Sequence, residues 1–233
     1  VNCSMELGGN APFLIFDDAD IDAAVRGAMV AKMRNGGEAC TAANRFYAHE
    51  GVYEEFTEKF AVAMAAMKVG PGLEPGVELG PMVNAWAIKD IDRLVEDAKS
   101  KGSNVLTGGA PLDRIGHYYP PTVLGSVPGE ADILKEEVFG PVAPVVSFSD
   151  DEEVIAAAND TEYGLVSYLY TGSLKRGMAV SERLDAGMIG LNRGLVSDPA
   201  APFGGTKQSG LGREGSHEGM MEYMETKYIA TDW

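Results

Sequence analysis

Two residues of this sequence stand in settings where a side chain could do covalent chemistry. Cys40 lies in Asn35-Gly36-Gly37-Glu38-Ala39-Cys40-Thr41, between a helix end and a strand start, among small neighbours. A nucleophilic thiol needs access and nearby backbone donors, and small neighbours supply both. A single cysteine is more often a small buried hydrophobe, so its context must decide. Glu6 opens Glu6-Leu7-Gly8-Gly9-Asn10, where a glycine pair permits close backbone approach by a ligand. A lone glutamate is ordinarily a solvated surface charge. Arg34 lies six residues before Cys40 at a helix end, where a cation is welcome in any case.

The elements that must carry these residues alternate between two periods. Ala11 to Phe16 is a short apolar run that predicts a buried strand. Asp18 and Asp20 can cap the next helix, whose Ile21, Ala24, Val25, Ala28 and Met29 recur at helical spacing up to Gly36. Phe46-Tyr47-Ala48 predicts a strand. Val52, Phe56, Phe60, Met64 and Met67 form the stripe of a second helix, its methionines core filler. Gly70 to Pro81 is a loop, and Ile88, Ile91, Leu94, Val95 and Ala98 mark a third helix ending at Gly102. Strands are expected at Val105-Leu106, Val142 to Phe148, Leu165 to Tyr170 and Met188 to Leu191. Helices near Asp151 to Ala158 and Ser173 to Leu184 separate the last three. This alternation predicts an α/β fold with an open, mostly parallel, doubly wound sheet. Ligands of such sheets lie beyond the carboxyl ends of strands, where the Cys40 loop is expected. After Gly215 a short helix leads to Lys227-Tyr228-Ile229-Ala230, read as a final strand that closes the local sheet or pairs with another subunit.

The chain has 233 residues, with 19 Lys plus Arg against 35 Asp plus Glu, a formal charge of −16. That surface repels phosphate backbones and anionic lipid, so nucleic acid and membrane are poor partners. It also aids solubility. Cys3 and Cys40 make neither a disulfide framework nor a zinc pattern, so no metal is expected, and both read as reduced thiols of a cytoplasmic protein. No apolar run approaches bilayer length and no basic-then-apolar leader opens the chain. It starts at Val1 and enters almost at once into Met5-Glu6, the aspect of a piece of something longer.

Four blocks give these residues a common meaning. Glu-Leu-Gly-Gly-Asn-Ala-Pro from Glu6 is followed 34 positions later by Cys40 in Gly-Gly-Glu-Ala-Cys. Glu136-Glu137-Val138-Phe139-Gly140-Pro141 and Pro202-Phe203-Gly204-Gly205-Thr206-Lys207-Gln208-Ser209-Gly210-Leu211-Gly212-Arg213-Glu214 come next in order. Together, over nearly the whole chain, they resemble the aldehyde dehydrogenase family. The resemblance implies oxidation of an aldehyde with NAD or NADP. Cys40 would attack the carbonyl to give a thiohemiacetal and then a thioester, and Glu6 would activate the hydrolytic water. A backbone N–H at Cys40 would help hold the oxyanion. Glu137 would bind the nicotinamide-side ribose hydroxyls, and Phe139 would lie beside the nicotinamide. It further implies a catalytic domain over 1–215, a helix and oligomerisation strand over 216–233 serving a homo-oligomer, and a preceding dinucleotide-binding domain absent from this chain. The isolated chain is therefore expected to be inactive.

One departure concerns Glu38, where the family usually has Gln; a charged carboxylate close to the thiol would oppose thiolate formation, so Glu38 is expected to point away. Gly210 to Gly215 reads as G-x-G-x-x-G, but no strand precedes it, so it is a structural loop. Around Arg34 the sequence is most like succinate-semialdehyde dehydrogenases. There Arg34, with Ser197 of the loop before Pro202, would grip the far carboxylate of a small aldehyde substrate. Alternatives are an aldehyde dehydrogenase of another substrate class, a cofactor-free thiol esterase, and a structural or assembly fragment. The family branch that makes free aldehydes from acyl phosphates is disfavoured by the intact Glu6 block.

Overall fold

A computed structural model describes residues 3–232. The elements in chain order are β1 (Met5–Glu6), β2 (Ala11–Ile15), α1 (Ile21–Met33), β3 (Ala43–His49), α2 (Glu50–Ala65), α3 (Ala85–Ser100), β4 (Asn104–Thr107) and β5 (Thr122–Gly125). There follow β6 (Val142–Phe148), α4 (Asp151–Asn159), β7 (Tyr163–Gly164), β8 (Val166–Tyr170), α5 (Leu174–Ser181), β9 (Met188–Leu191), β10 (Thr206–Lys207), β11 (Gly210–Leu211) and α6 (Ser216–Met221). Seven strands form one sheet in the order β4-β5-β6-β3-β2-β8-β9, parallel throughout except for the β4–β5 pair. The expected doubly wound α/β sheet is what forms.

Strand alternation explains why both faces are covered. In β2, Phe13 and Ile15 enter one apolar cluster, while Leu14 and the following Phe16 enter another. Helices α1, α2 and α3 close the first face through Ala24 and Ala28, Phe56 and Phe60, and Leu94 and Val95. Helices α4 and α5 close the second through Val154, Ile155 and Val180. Phe13 stacks on Tyr170 at 5.1 Å and lies 5.2 Å from Phe46, so β2, β3 and β8 form a rigid centre. Truncating such a ring to alanine costs about 3–5 kcal/mol.

Several details differ from expectation. Asp20 caps α1 by accepting from Ala23 N, but Asp18 instead accepts from Thr171 Oγ1 at 2.7 Å and pairs with Arg176. Strand β5 went unpredicted, because four residues after Pro120-Pro121 carry too short a pattern. Met67 lies just past the end of α2 and is only partly buried. Lys227 to Ala230 forms no strand within the chain, and Tyr228 and Ile229 are 87% and 74% exposed.

The largest correction concerns the end of the sheet. Cys40 leads into β3, Glu6 into β2, Glu137 into β6, and Gly164-Leu165 into β8. The chemistry-bearing segments therefore gather at the amino ends of the parallel strands, not at the carboxyl ends. In a parallel sheet every helix-to-strand connection arrives at the amino edge, and Cys40 lies in such a connection.

Candidate active site

The Cys40 loop owes its shape to three successive left-handed residues after α1: Asn35 (φ 54°), Gly36 (φ 64°) and Gly37 (φ 81°). Asn35 tolerates this conformation because its Nδ2 donates to Glu38 O at 2.7 Å. Gly37 is required on a second count, since a Cβ there would lie 2.1 Å from Gly140 O. That contact also seats the loop against the segment bearing Phe139. A turn closed by Ala42 N donating to Ala39 O at 2.9 Å then presents Cys40. From β8, the buried Tyr168 hydroxyl donates to Thr41 O at 2.8 Å.

The Cys40 thiol is half-buried. Burial pushes its pKa up, and the charges of Glu6 and Glu137 push the same way. The backbone N–H groups of Cys40 and Thr41 act in the opposite sense by hydrogen bonding toward the sulfur. The thiol therefore rests protonated, with two amides placed to stabilise negative charge beside it.

Glu6 reaches this loop on a different scaffold. Its strand β1 pairs antiparallel with β11, with Glu6 opposite Gly210. Leu7 N donates to Ser209 O at 3.0 Å, and the fully buried Ser209 Oγ donates to Gly8 O at 2.7 Å while accepting from Gly164 N at 2.9 Å. Ser209 thus stitches the Glu6 segment to β7. Gly9 passes so close to the nucleophile loop that a Cβ would lie 2.5 Å from Cys40 O. Gly9 thus admits the protein's own backbone, while Gly8 makes room for the Glu137 carboxylate, whose Oε2 a Cβ would meet at 2.6 Å. The Glu6 carboxyl is solvent-accessible, yet partial desolvation and the facing Glu214 carboxylate hold its pKa above the usual range.

Glu137 is half-buried and accepts from Gly9 N at 2.9 Å through Oε1. Burial raises its pKa, while Gly9 N–H and the Lys32 cation oppose the rise. Phe139, two residues on, is 45% exposed. A carboxylate fixed by one backbone bond beside an exposed ring fits the ribose and nicotinamide ends of a dinucleotide. Glu38 does point away, with its Oε1 accepting from Val83 N at 3.2 Å.

The two residues expected to hold the substrate are joined less directly. Arg34 is exposed, and its Nη2 donates to Thr41 Oγ1 at 3.0 Å, which lays the guanidinium beside the Cys40 turn. Ser197 is exposed on the loop after β9 and lines a cleft of about 470 Å³ with Phe203 and Glu214. It approaches the Glu6 side of the site through Glu214 rather than contacting Arg34. Sequence reasoning missed Tyr168, Ser209, Asn44 and Lys32. Their signal was weak, because a buried polar residue in a strand, a helix or, for Ser209, a turn is visible only once its partners are known. Among the described residues no group of three or more His, Cys, Asp or Glu is placed to hold a metal ion, and no helix is long and apolar enough to cross a membrane.

The aldehyde dehydrogenase family pattern matches residues 1–229. The chain is 56% identical over 226 residues to a succinate-semialdehyde dehydrogenase of Paenarthrobacter nicotinovorans, covering 97% of this chain and 50% of that protein. It is 51% identical, over the same length, to a glutarate-semialdehyde dehydrogenase of Pseudomonas putida, covering 47% of it. A crystal structure of aldehyde dehydrogenase from Brucella melitensis biovar abortus 2308 superposes with a TM-score of 0.95 at 54% identity, over 98% of this chain and 47% of that one. The chain thus spans about half the length of the curated relatives it matches. With the site blocks in register on the expected sheet, this chain belongs to the aldehyde dehydrogenase family.

Proposed function

We propose that the chain is the thiol-bearing part of an enzyme that oxidises a small aldehyde to its acid with NAD or NADP, succinate semialdehyde being the preferred substrate. The observation that carries this reading is the convergence on Cys40 of two backbone donors and two carboxylates, Glu6 and Glu137. Glu6 takes the thiol proton as the sulfur attacks the aldehyde carbon, and the amides of Cys40 and Thr41 stabilise the oxyanion of the thiohemiacetal. Glu137 and Phe139 are the residues of this chain that would hold the ribose and nicotinamide of NAD or NADP, which when bound would supply the acceptor for the hydride of that carbon. Glu6, which solvent reaches, gives up the thiol proton to bulk water, and the resulting thioester is then attacked by water whose proton passes to the freed Glu6 carboxylate. The carbon–sulfur bond breaks, the acid departs, and Glu6 returns that proton to Cys40.

Arg34 supports an acidic aldehyde because a guanidinium fork binds a carboxylate through two parallel charge-assisted bonds. The two semialdehyde dehydrogenases above both act, by name, on aldehydes whose far end is a carboxylate. Ser197 completes that grip in this reading. The test is cofactor reduction by the full-length polypeptide on succinate semialdehyde against butanal, with Arg34→Ala alongside. Losing one partner of a desolvated charge pair costs about 2–5 kcal/mol, so the variant should lose the preference for the acid. Equal turnover of both aldehydes by the parent would remove Arg34 from the pocket and leave the enzyme class standing.

Residues 1–233 alone are expected to show no dehydrogenase turnover, since they span half of such enzymes. A second reading draws on the same geometry: thiol, amides and Glu6 lie within residues 6–41 and suffice for cleavage of an activated ester without cofactor. Release of nitrophenol from its acetate ester by this chain, abolished in Cys40→Ala, would support it. The exposed segment Lys227 to Ala230 is the proposed intersubunit strand of a homo-oligomer, and deleting 226–233 should then lower the assembly state in sedimentation.

A further inference from the structure

Lys32 is fully buried in the last turn of α1, eight residues ahead of Cys40. Space there could be filled by Met or Leu without desolvating an amine, so its presence asks for a partner. Lys32 Nζ donates to Asn44 Oδ1 at 2.8 Å, and Asn44 Nδ2 donates to Gly9 O at 3.3 Å. Gly9 N in turn donates to Glu137 Oε1 at 2.9 Å. A buried cation and a half-buried anion thus stand at the two ends of one hydrogen-bonded path through the Gly9 peptide units. That segment also touches the carbonyl of Cys40.

Each end responds to the other. Lys32 draws the Glu137 carboxyl down against its burial. Burial pushes the Lys32 amine down and Glu137 draws it back up, leaving it at about 7. The titratable groups facing Glu137 are Lys32 from α1, the Cys40 thiol from the turn before β3, and the Tyr163 phenol from β7. Of these three, Lys32 alone is positive when protonated.

We propose that Lys32 is a positioning residue that acts through Asn44 and Gly9 to hold Glu137 as a fixed anion, able to accept hydrogen bonds from a vicinal diol. The proposal rests on reading Glu137 as the ribose-binding carboxylate. Lys32→Gln keeps a donor for Asn44 but removes the charge, and Lys32→Met removes both. The full-length polypeptide carrying each variant is titrated calorimetrically with NAD and NADP across about pH 4 to 9. Without cofactor, the side-chain carboxyl ¹³C resonance of Glu137, assigned with Glu137→Gln, is followed over the same range.

In Lys32→Gln the cofactor Kd at neutral pH should weaken about tenfold, and the acid limb of binding should move up by about one pH unit. The carboxyl titration should move in the same direction, and Lys32→Met should show at least as much. Superimposable carboxyl titrations, with affinity falling only in step with melting temperature, would overturn the proposal and leave Lys32 as packing. If the parent protein binds no cofactor, the dehydrogenase reading falls instead. The carboxyl titration then decides alone: an upward shift in Lys32→Gln upholds the counter-charge, and no shift refutes it.

Discussion

The two sides of the candidate site are built differently. On one side the Cys40 turn and Glu137 are half-buried and pinned by backbone contacts from Gly37, Gly9, Tyr168 and Gly140. On the other, Glu6, Arg34, Phe139 and Ser197 present side chains that solvent reaches. The difference follows from the work proposed for each. A nucleophile and its oxyanion donors gain from fixed geometry in a low dielectric, because dipoles set in advance need no reorganisation during reaction. Groups that exchange protons with water or grip a diffusing molecule need access, and tight packing would deny it.

The widest gap between the sides should appear in Cys40→Ala. Steady-state turnover of the full-length protein should fall on the order of 10⁴-fold or more, while the melting temperature stays near that of the parent. Residual turnover within tenfold would displace Cys40 as nucleophile. Glu6→Gln tests the open side and should split two readouts. Turnover should drop by about 10²–10⁴-fold, because the water loses its base. Alkylation of Cys40 by iodoacetamide at neutral pH should instead quicken a few-fold. Glu6 charge pushes the thiol pKa up, so removing it lowers that value and raises the thiolate fraction. In the parent, alkylation should keep accelerating as pH rises past the ordinary thiol range. A parent rate that plateaus below that range contradicts the raised thiol.

Smaller effects probe the stitching between the sides. Ser209→Ala would strip partners from Gly8 O and Gly164 N, at a cost of about 1–3 kcal/mol in denaturant unfolding. Glu6 would be less well held, so kcat should suffer more than KM. An unchanged midpoint would mean that the strand pairs β1–β11 and β7–β10 hold this region without Ser209. Smallest of all is Glu38→Gln. An amide oxygen can still accept from Val83 N, so stability should stay within about 0.5 kcal/mol and the Cys40 alkylation profile should not move. A clear shift would show that Glu38 charge reaches the thiol after all.

The Gly9 segment ties the two sides together. It follows Glu6 closely in the chain, passes against Cys40 O, and hands its N–H to Glu137. If the Lys32 path through Asn44 governs that segment, then the pinned side is organised around Glu137 as well as around the thiol.

Much of this was legible from sequence because it depends on local physics. Helical spacing alone marked Ile91, Leu94, Val95 and Ala98 as one buried face, and Gly102 ended that helix with φ +107°. Apolar runs gave β2, β6, β8 and β9 nearly to the residue, since a strand buried on both faces has little choice of composition. The blocks around Glu6, Cys40, Glu137 and Phe203 pointed to the family through their joint order. What the sequence could not carry was anything that depends on which distant segments meet. The two-residue pairings of β1 with β11 and β7 with β10 exist only because the 202–214 loop folds back on the start of the chain. The amino-end location of the site, the seat of Glu38 on Val83 N, and the burial of Lys32 against Asn44 are likewise outcomes of long-range packing. A charged side chain in a helix reads as solvated until the tertiary structure closes over it, because burial is a property of the whole fold and not of the residue.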